Sequence, residues 1–533
     1  MVKGNLGRIH THPIWELKCP HRSGDFARDP IAIKEHPQQN PSAMPNPIRP
    51  GNLSFDFSFK KTAAPTPVDE DAPLRIAILG GFGGNADDLP SRAIHVDCDN
   101  FDKVCPQFGA GLKLPDGTGE ITLRFHSLDD FHPDRLLRKV PSLAKLVELR
   151  AGVGNPATAE AAASELRAFL GDTIETPSAP APAPSAAPAE SASDLIARLL
   201  GKPATSPPTA VPAGAKSVVE QIIARSIAPA TVPAATPAQT SLLSTLDAEL
   251  SRRLRAVMHH PEFQALESAW RGLDFLVRNA GDNVKLHAIA ITRTELDRQL
   301  AAPGNPAATA IARQLAPLAP LVVLGAFSFG EKDTAALAAI ARLAAALGTA
   351  FIGGADSDLV GSTSFGTQPN ALDWNPRTSA AFTELRCAPE AAHLGLALPR
   401  FLLRQPYAPG SDAIETFPFT ELPAADAHEC KLWGSSAFLC GQRLLDAFSN
   451  DGWDMELGGS GGEIGGLPVH TFKVNGDSEV TPCAEAWLSE KAADAILARG
   501  LMPVLSVRGR DSVILVSLRS IAEPAKALAF RVG

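Results

Sequence analysis

The sequence predicts an α/β fold built as two α/β regions joined by a Pro/Ala-rich linker. Three observations lead there. Runs with helical apolar spacing alternate with short strand-like runs, which is the pattern of α/β architectures. The chain has 533 residues, 45% apolar and 20% charged, so it is too long for one ordinary core yet apolar enough to fold. Between residues 171 and 240, Pro, Ala, Ser and Thr displace the large apolar groups that a core requires.

The elements follow in order. Residues 1–50 lack apolar periodicity and read as a disordered tail, with Met44 as an alternative start. His10, His12, Cys19 and His21 lie there, but their spacing matches no zinc pattern, and the tail reading is preferred. In residues 51–73, Leu53, Phe55, Phe57 and Phe59 alternate with Ser and Asp, giving a strand with one apolar face, followed by a tether containing Pro65 and Pro67. A lone strand on a tether must pair with a sheet edge, in its own domain or in a neighbour. These four residues are therefore candidate interaction residues.

Residues 74–170 read as a small α/β domain. Strands are expected at 74–79, 93–96 and 121–125, and helices at 134–139, 142–153 and 158–169, with turns at Gly109, Gly111, Gly117 and Gly119. The linker, 171–240, carries two helical islands. One spans 194–200, started by Ser193 and stopped by Gly201, and the other spans 217–227. They suit docking on their own domains or on a partner. Residues 241–533 alternate helices (262–279, then up to Leu315, 334–347, 379–386, 435–448) with strands (284–291, 321–328, 350–352, 502–507, 512–518). In the first of these helices Phe263, Leu266, Trp270, Leu273 and Val277 form one apolar stripe, with Glu267 and Arg271 placed to pair on its flank. Trp270 reads as a packing anchor.

Composition and motifs narrow the function. The net charge of -9 argues against gripping nucleic acid. Seven cysteines without a C-x-x-C pair read as reduced thiols of a cytoplasmic protein, and no signal peptide or membrane span is expected. Gly81-Phe-Gly83-Gly84-Asn85-Ala86 fits a phosphate-binding pattern, but Asp87, Asp88 and Pro90 spoil the helix that such a site requires, so a glycine turn is preferred. His259-His260 reads as the edge of the next helix and Gly458–Gly462 as a loop. The chain is expected not to be an enzyme and to use no cofactor or metal. A nucleotide-binding enzyme using Gly81–Gly84 is kept as a remote alternative.

Longer motifs carry a resemblance. The stretch from His259 to Leu273, then Leu398-Pro399-Arg400-Phe-Leu-Leu-Arg-Gln-Pro-Tyr407, Leu432-Trp433-Gly-Ser-Ser-Ala-Phe438 and Asp451-Gly-Trp453 resemble, in order, the large subunit of the type VI secretion contractile sheath (the TssC/VipB/ImpC/EvpB family). Phe263, Trp270, Pro399, Arg400, Trp433 and Trp453 are its signature packing residues here. Leu74 to Gly83, Asp99 to Asp102, Phe125 to Pro133 and Val140 to Arg150 are similar to the small subunit (the TssB/VipA/ImpB family), whose N-terminal strand falls where Leu53–Phe59 lies. The resemblance implies a fused small and large sheath subunit that oligomerises with sheath subunits around an inner tube, with baseplate and AAA+ unfoldase as further partners. The large-subunit family usually continues past the point where this chain stops. An accessory or adaptor protein that binds sheath or baseplate without polymerising is therefore the alternative expectation.

Overall fold

The computed structural model describes residues 71–85, 92–115, 119–170, 236–301, 305–375, 379–422, 424, 427–455, 462–474 and 477–530. Leu53–Phe59 and both linker islands lie outside them. Contacts divide the chain into Met1–Ala64 and Pro65–Gly533, and the architecture below belongs to the second unit.

The segment Leu74-Arg-Ile-Ala-Ile-Leu-Gly80 is apolar at almost every position, the signature of a strand covered on both faces. It forms β1. In the small-subunit-like half it is followed by β2 (Ala93–Val96), α1 (Phe101–Gln107), a hairpin of β3 (Gly111–Pro115) and β4 (Glu120–Arg124), and helices α2 (Pro133–Lys139), α3 (Pro141–Gly154) and α4 (Ala159–Leu170). The larger half continues with α5 (Pro237–Met258), α6 (Pro261–Arg278), β5 (Val284–Ala290), α7 (Arg293–Ala301), α8 (Ala310–Leu318), β6 (Val322–Phe329), α9 (Thr334–Leu347), β7 (Ala350–Ala355), α10 (Ala380–Cys387), β8 (Leu394–Leu398), β9 (Phe401–Leu402) and β10 (Trp433–Gly434). It closes with α11 (Ala437–Asp451), β11 (Glu463–Ile464), β12 (His470–Val474), β13 (Asp477–Thr481), α12 (Glu490–Ala498), β14 (Met502–Ser506) and β15 (Val513–Leu515).

Among the described residues, nine strands form one sheet in the order β11-β15-β14-β8-β7-β6-β1-β5-β2. From β14 to β5 all neighbours are parallel, while β2, β15 and β11 run antiparallel at the margins. The mixed α/β class is as expected from sequence. The two halves, however, share this sheet. β1 lies between β5 and β6, pairing Leu74 with Val284 through Gly80 with Ala290 on one side, and Ile76 with Val322 through Leu79 with Gly325 on the other. Both its neighbours come from beyond the linker.

Two cores cover the sheet's faces. Leu74, Ile76 and Ile78 point into one, with Phe263, Trp270 and Leu273 of α6 and Phe438 and Leu444 of α11. Ala77 and Leu79 point into the other, with Leu296 of α7, Leu315 of α8, Leu337 and Ile340 of α9, Phe382 of α10 and Ile496 of α12. Helices α6 and α11 pack closely because Gly272 carries no Cβ, which would lie only 2.2 Å from the Phe438 ring.

Local differences from the sequence expectation have local causes. α5 was not expected from sequence, and it begins at Pro237, within the stretch read as linker. Its proline occupies the first turn, where no amide partner is lost, and Thr236 with Gln239 forms a capping box. β8 (LGLAL) is buried at every position and so lacks the alternation that marks a half-exposed strand.

Because β1 belongs to both halves, they should unfold together. Tryptophan emission, carried among the described residues by the larger half, and labelling of Cys105, buried in the smaller, should share one denaturant midpoint. Ile78→Ala should lower both by the same amount, about 2–5 kcal/mol in free energy. Two separate midpoints would show that each half is stable alone.

Candidate assembly site: the junction of the two halves

Helix α6 presents the apolar stripe read from the sequence, and the smaller half supplies much of what it touches. Phe263 is fully buried against Phe125 and Phe131, with ring centroids 6.0 and 5.7 Å away. Seven positions on, hence on the same helix face, Trp270 meets Phe82 at 5.3 Å and Phe101 at 5.9 Å edge to face. The indole N–H of Trp270 donates to the Phe82 carbonyl at 3.0 Å. One side chain thus fixes the turn that ends β1.

That turn is closed on itself. The amide of Gly84 donates to the Gly81 carbonyl, that of Asn85 to the Gly111 carbonyl, and that of Gly111 to the Gly83 carbonyl. Gly84 has φ +69°, and a Cβ there would lie 2.0 Å from the Gly111 carbonyl oxygen. Glycine is required for close backbone approach, and these amides serve protein carbonyls instead of a phosphate.

Polar ties flank the apolar seam. Asp134, in the first turn of α2, accepts from the Glu415 amide (3.0 Å), the Thr416 amide (3.3 Å) and the Thr416 hydroxyl (2.7 Å). Burial favours its protonated form, but these bonds hold its carboxyl below the usual value. Arg150 of α3 pairs with Asp247 of α5 at 2.5 Å. Trp453 packs against Phe448 and donates its indole N–H to the Ala72 carbonyl at 2.8 Å, fastening the chain just before β1.

Beside the seam lies a buried ionic network. Arg404 bonds Glu267 at 2.8 Å and Glu421 at 2.6 Å, and Arg271 bonds the same Glu267 at 2.7 Å. The Tyr407 amide donates to Glu421 at 2.8 Å, and the Arg404 guanidinium lies 4.4 Å from the Tyr407 ring centroid. The Glu267–Arg271 pair forms as the sequence suggests, yet Glu267 is 0% exposed and not on a solvent flank. Burial would raise its pKa, and the Arg404 and Arg271 guanidiniums outweigh burial and hold it low. A cleft of about 540 Å³ opens here, lined by Arg271, Arg404, Tyr407, Asp412, Leu467 and Asp511. Its two guanidiniums are engaged by Glu267 and, for Arg404, Glu421 as well, so they are structural ion pairs.

Of the remaining signature residues, Pro399 and Arg400 follow β8 and Trp433 lies in β10. The Pro399 carbonyl accepts the Ser436 hydroxyl. Arg400 pairs with Glu485 at 2.5 Å and reaches Glu429 at 3.4 Å. His428 Nε2 stands 3.0 Å from Glu485. Trp433 donates its indole N–H to the His428 carbonyl at 2.9 Å, and its own carbonyl accepts the Ser268 hydroxyl of α6 at 3.0 Å. Phe263, Trp270 and Trp453 therefore meet at the junction of the halves, while Pro399, Arg400 and Trp433 form a separate group within the larger one. Sequence reading missed Asp134, Arg404, Glu421, His428 and Glu485. Arg404 lies inside a quoted motif, but its partners are distant in the chain.

Comparison with known proteins places both halves. A family model described as EvpB/VC_A0108, tail sheath N-terminal domain, matches residues 240–522. A second, described as type VI secretion system, VipA, VC_A0107 or Hcp2, matches residues 58–180. Among curated proteins the chain is similar to the type VI secretion system sheath protein TssC1 of Pseudomonas aeruginosa, 29% identical over 306 residues, covering 54% of this chain and 61% of that protein. The chain thus spans less than two thirds of that relative's length.

Glu267→Gln leaves Arg404 and Arg271 short of a buried counter-charge and should cost about 3–5 kcal/mol, read from urea unfolding. Acid supplies a second test. Burial raises the pKa of Glu485, but its bonds to His428 and Arg400 prevail and bring it from 4.5 down to about 2. A carboxyl held low in the fold stabilises above its unfolded pKa, and that contribution fades as pH falls towards the folded one. From pH 4.5 downward the wild type should lose stability faster than Glu485→Gln, with a full effect on the order of 3 kcal/mol. Parallel pH profiles would contradict this.

Proposed function

Because the chain belongs to the type VI tail-sheath protein family, whose model matches more than half of its length, we propose that it is a structural subunit of a bacterial contractile sheath, with the small and large halves fused in one polypeptide. The observation that carries this reading is β1, a strand of the small-subunit-like half inserted between two strands of the large-subunit-like half. A pair of sheath proteins bound this way is one rigid building block. Phe263, Trp270 and Trp453 hold its halves together, and Pro399, Arg400 and Trp433 brace the larger half.

Such a block acts by fitting against further sheath subunits around an inner tube, with baseplate and an AAA+ unfoldase as additional partners. Heterologous contacts that do not close build filaments of this kind. The strand margins β2 and β11 offer backbone edges, and Leu53, Phe55, Phe57 and Phe59 supply a strand with one apolar face for an edge in another copy. The work is mechanical and non-enzymatic, and the compartment is the cytoplasm. Among the described residues, no helix is long and apolar enough to cross a membrane.

Negative-stain microscopy of the purified chain, alone and with the host's other sheath proteins, tests the reading. Tubes, or incorporation into tubes, are expected. Decoration of tubes without incorporation would indicate an adaptor, and the absence of tubes, incorporation and decoration alike would overturn the sheath role. Phe55→Asp combined with Phe57→Asp should abolish self-association in sedimentation without shifting the unfolding midpoint.

A further inference from the structure

We propose that His428, Glu429 and Glu485 form a binding site for a zinc-class divalent metal, for which the Arg400 guanidinium competes. His428 and Glu429 belong to one short turn, His428–Cys430, and Glu485 follows β13. One donor atom from each residue lies within 4.8 Å of the other two. His428 Nε2 is 3.0 Å from Glu485 Oε1 and 4.0 Å from Glu429 Oε1. Tetrahedral zinc with bonds of about 2.0–2.2 Å sets its donor atoms roughly 3.3–3.6 Å apart. His428 and Glu485 already stand near that spacing, and the adjustment falls chiefly on Glu429, whose side chain is 68% exposed and free to move.

The imidazole is held in its orientation. Its ring lies 5.0 Å from the Trp433 ring, and the Gly366 backbone crowds it so closely that a Cβ there would be 2.6 Å from Cγ. Imidazole with two carboxylates is a donor set that zinc accepts, and the exposed flank of Glu429 leaves room for water as a fourth ligand.

Arg400 makes the site conditional. Its Nη2 lies 2.5 Å from the same Glu485 oxygen that faces His428, and 3.4 Å from Glu429. A metal ion must take that oxygen from the guanidinium, while the bond from Arg400 Nε to the other Glu485 oxygen, at 3.1 Å, can persist. The competing reading of the four side chains is a closed ion-pair network and nothing more. The two readings diverge at Arg400. In a pure network its removal costs stability and creates no metal affinity, whereas in a competed site its removal tightens binding.

Calorimetric titration of the full chain with zinc chloride decides the matter. His10, His12, Cys19 and His21 add donors elsewhere, so the site is read by difference between variants. His428→Ala should remove one zinc equivalent that the wild type binds. Glu429→Gln, a change at an exposed side chain, should weaken that equivalent at least ten-fold, and Arg400→Gln should tighten it at least ten-fold. The proposal falls if His428→Ala binds as many equivalents as the wild type, or if Arg400→Gln binds no more tightly. Should Arg400→Gln fail to fold, the comparison of wild type with His428→Ala and Glu429→Gln decides alone. None of these outcomes depends on whether the chain forms tubes.

Discussion

The position of β1 constrains everything else in the molecule. A strand in the middle of a parallel sheet needs a hydrogen-bonding neighbour on each side and an apolar layer on each face, and the larger half supplies both neighbours of β1 and much of both layers. Burying Leu74, Ile76, Ile78 and Leu79 contributes roughly 1.5–3 kcal/mol for each side chain. Without β1, the facing edges of β5 and β6 would carry unpaired amides and carbonyls inside the protein, which is more costly than the loss of any single contact. The larger half is therefore incomplete without the smaller one.

Apolar and polar parts of the junction do different things. The Phe82, Phe125, Phe131, Phe263 and Trp270 rings remove large areas from water without demanding one exact geometry. The ionic network around Glu267 contributes little net energy, because desolvating its charges offsets most of their attraction. Its value is positional. Arg404 and Arg271 converge on one carboxylate, and the Trp270 indole meets one carbonyl, so a helix shifted by a single residue would strand buried charges and donors. Packing supplies the energy, and the polar groups select the register.

This division explains what could be read in advance. Ala93–Val96 and the extent of α6 were legible because alternation and the three–four spacing are local properties. His259-His260 as the edge of that helix was legible too, since Pro261 suits a first helical position, and the structure adds that the His260 side chain caps the Glu262 amide. α5 was missed altogether, since its start at Pro237 looks like a breaker in a proline-rich context and is tolerated only because it falls in the first turn. Membership of β1 and β5 in one sheet leaves no mark on either segment. The burial of Glu267 depends on Arg404, 137 positions away, so local pairing with Arg271 suggested a surface where there is an interior. His428 and Glu485 escaped notice for the same reason.

The fusion itself follows from these energetics. Two halves that bury this much surface against each other would find one another as separate chains. A covalent connection raises their effective concentration and fixes their ratio without adding a contact. Because the sheet, the aromatic seam and the ties from Asp134 and Arg150 all cross the junction, the halves cannot slide past each other without exposing β1. If the proposed contractile lattice is built from such units, the movement has to occur between blocks. The two packings of the lattice then differ in how blocks meet while each block stays intact, and a small free-energy difference per block is summed along the tube. A tightly sealed interior is the physical condition for that summation, since a soft block would absorb the motion that the lattice needs to transmit.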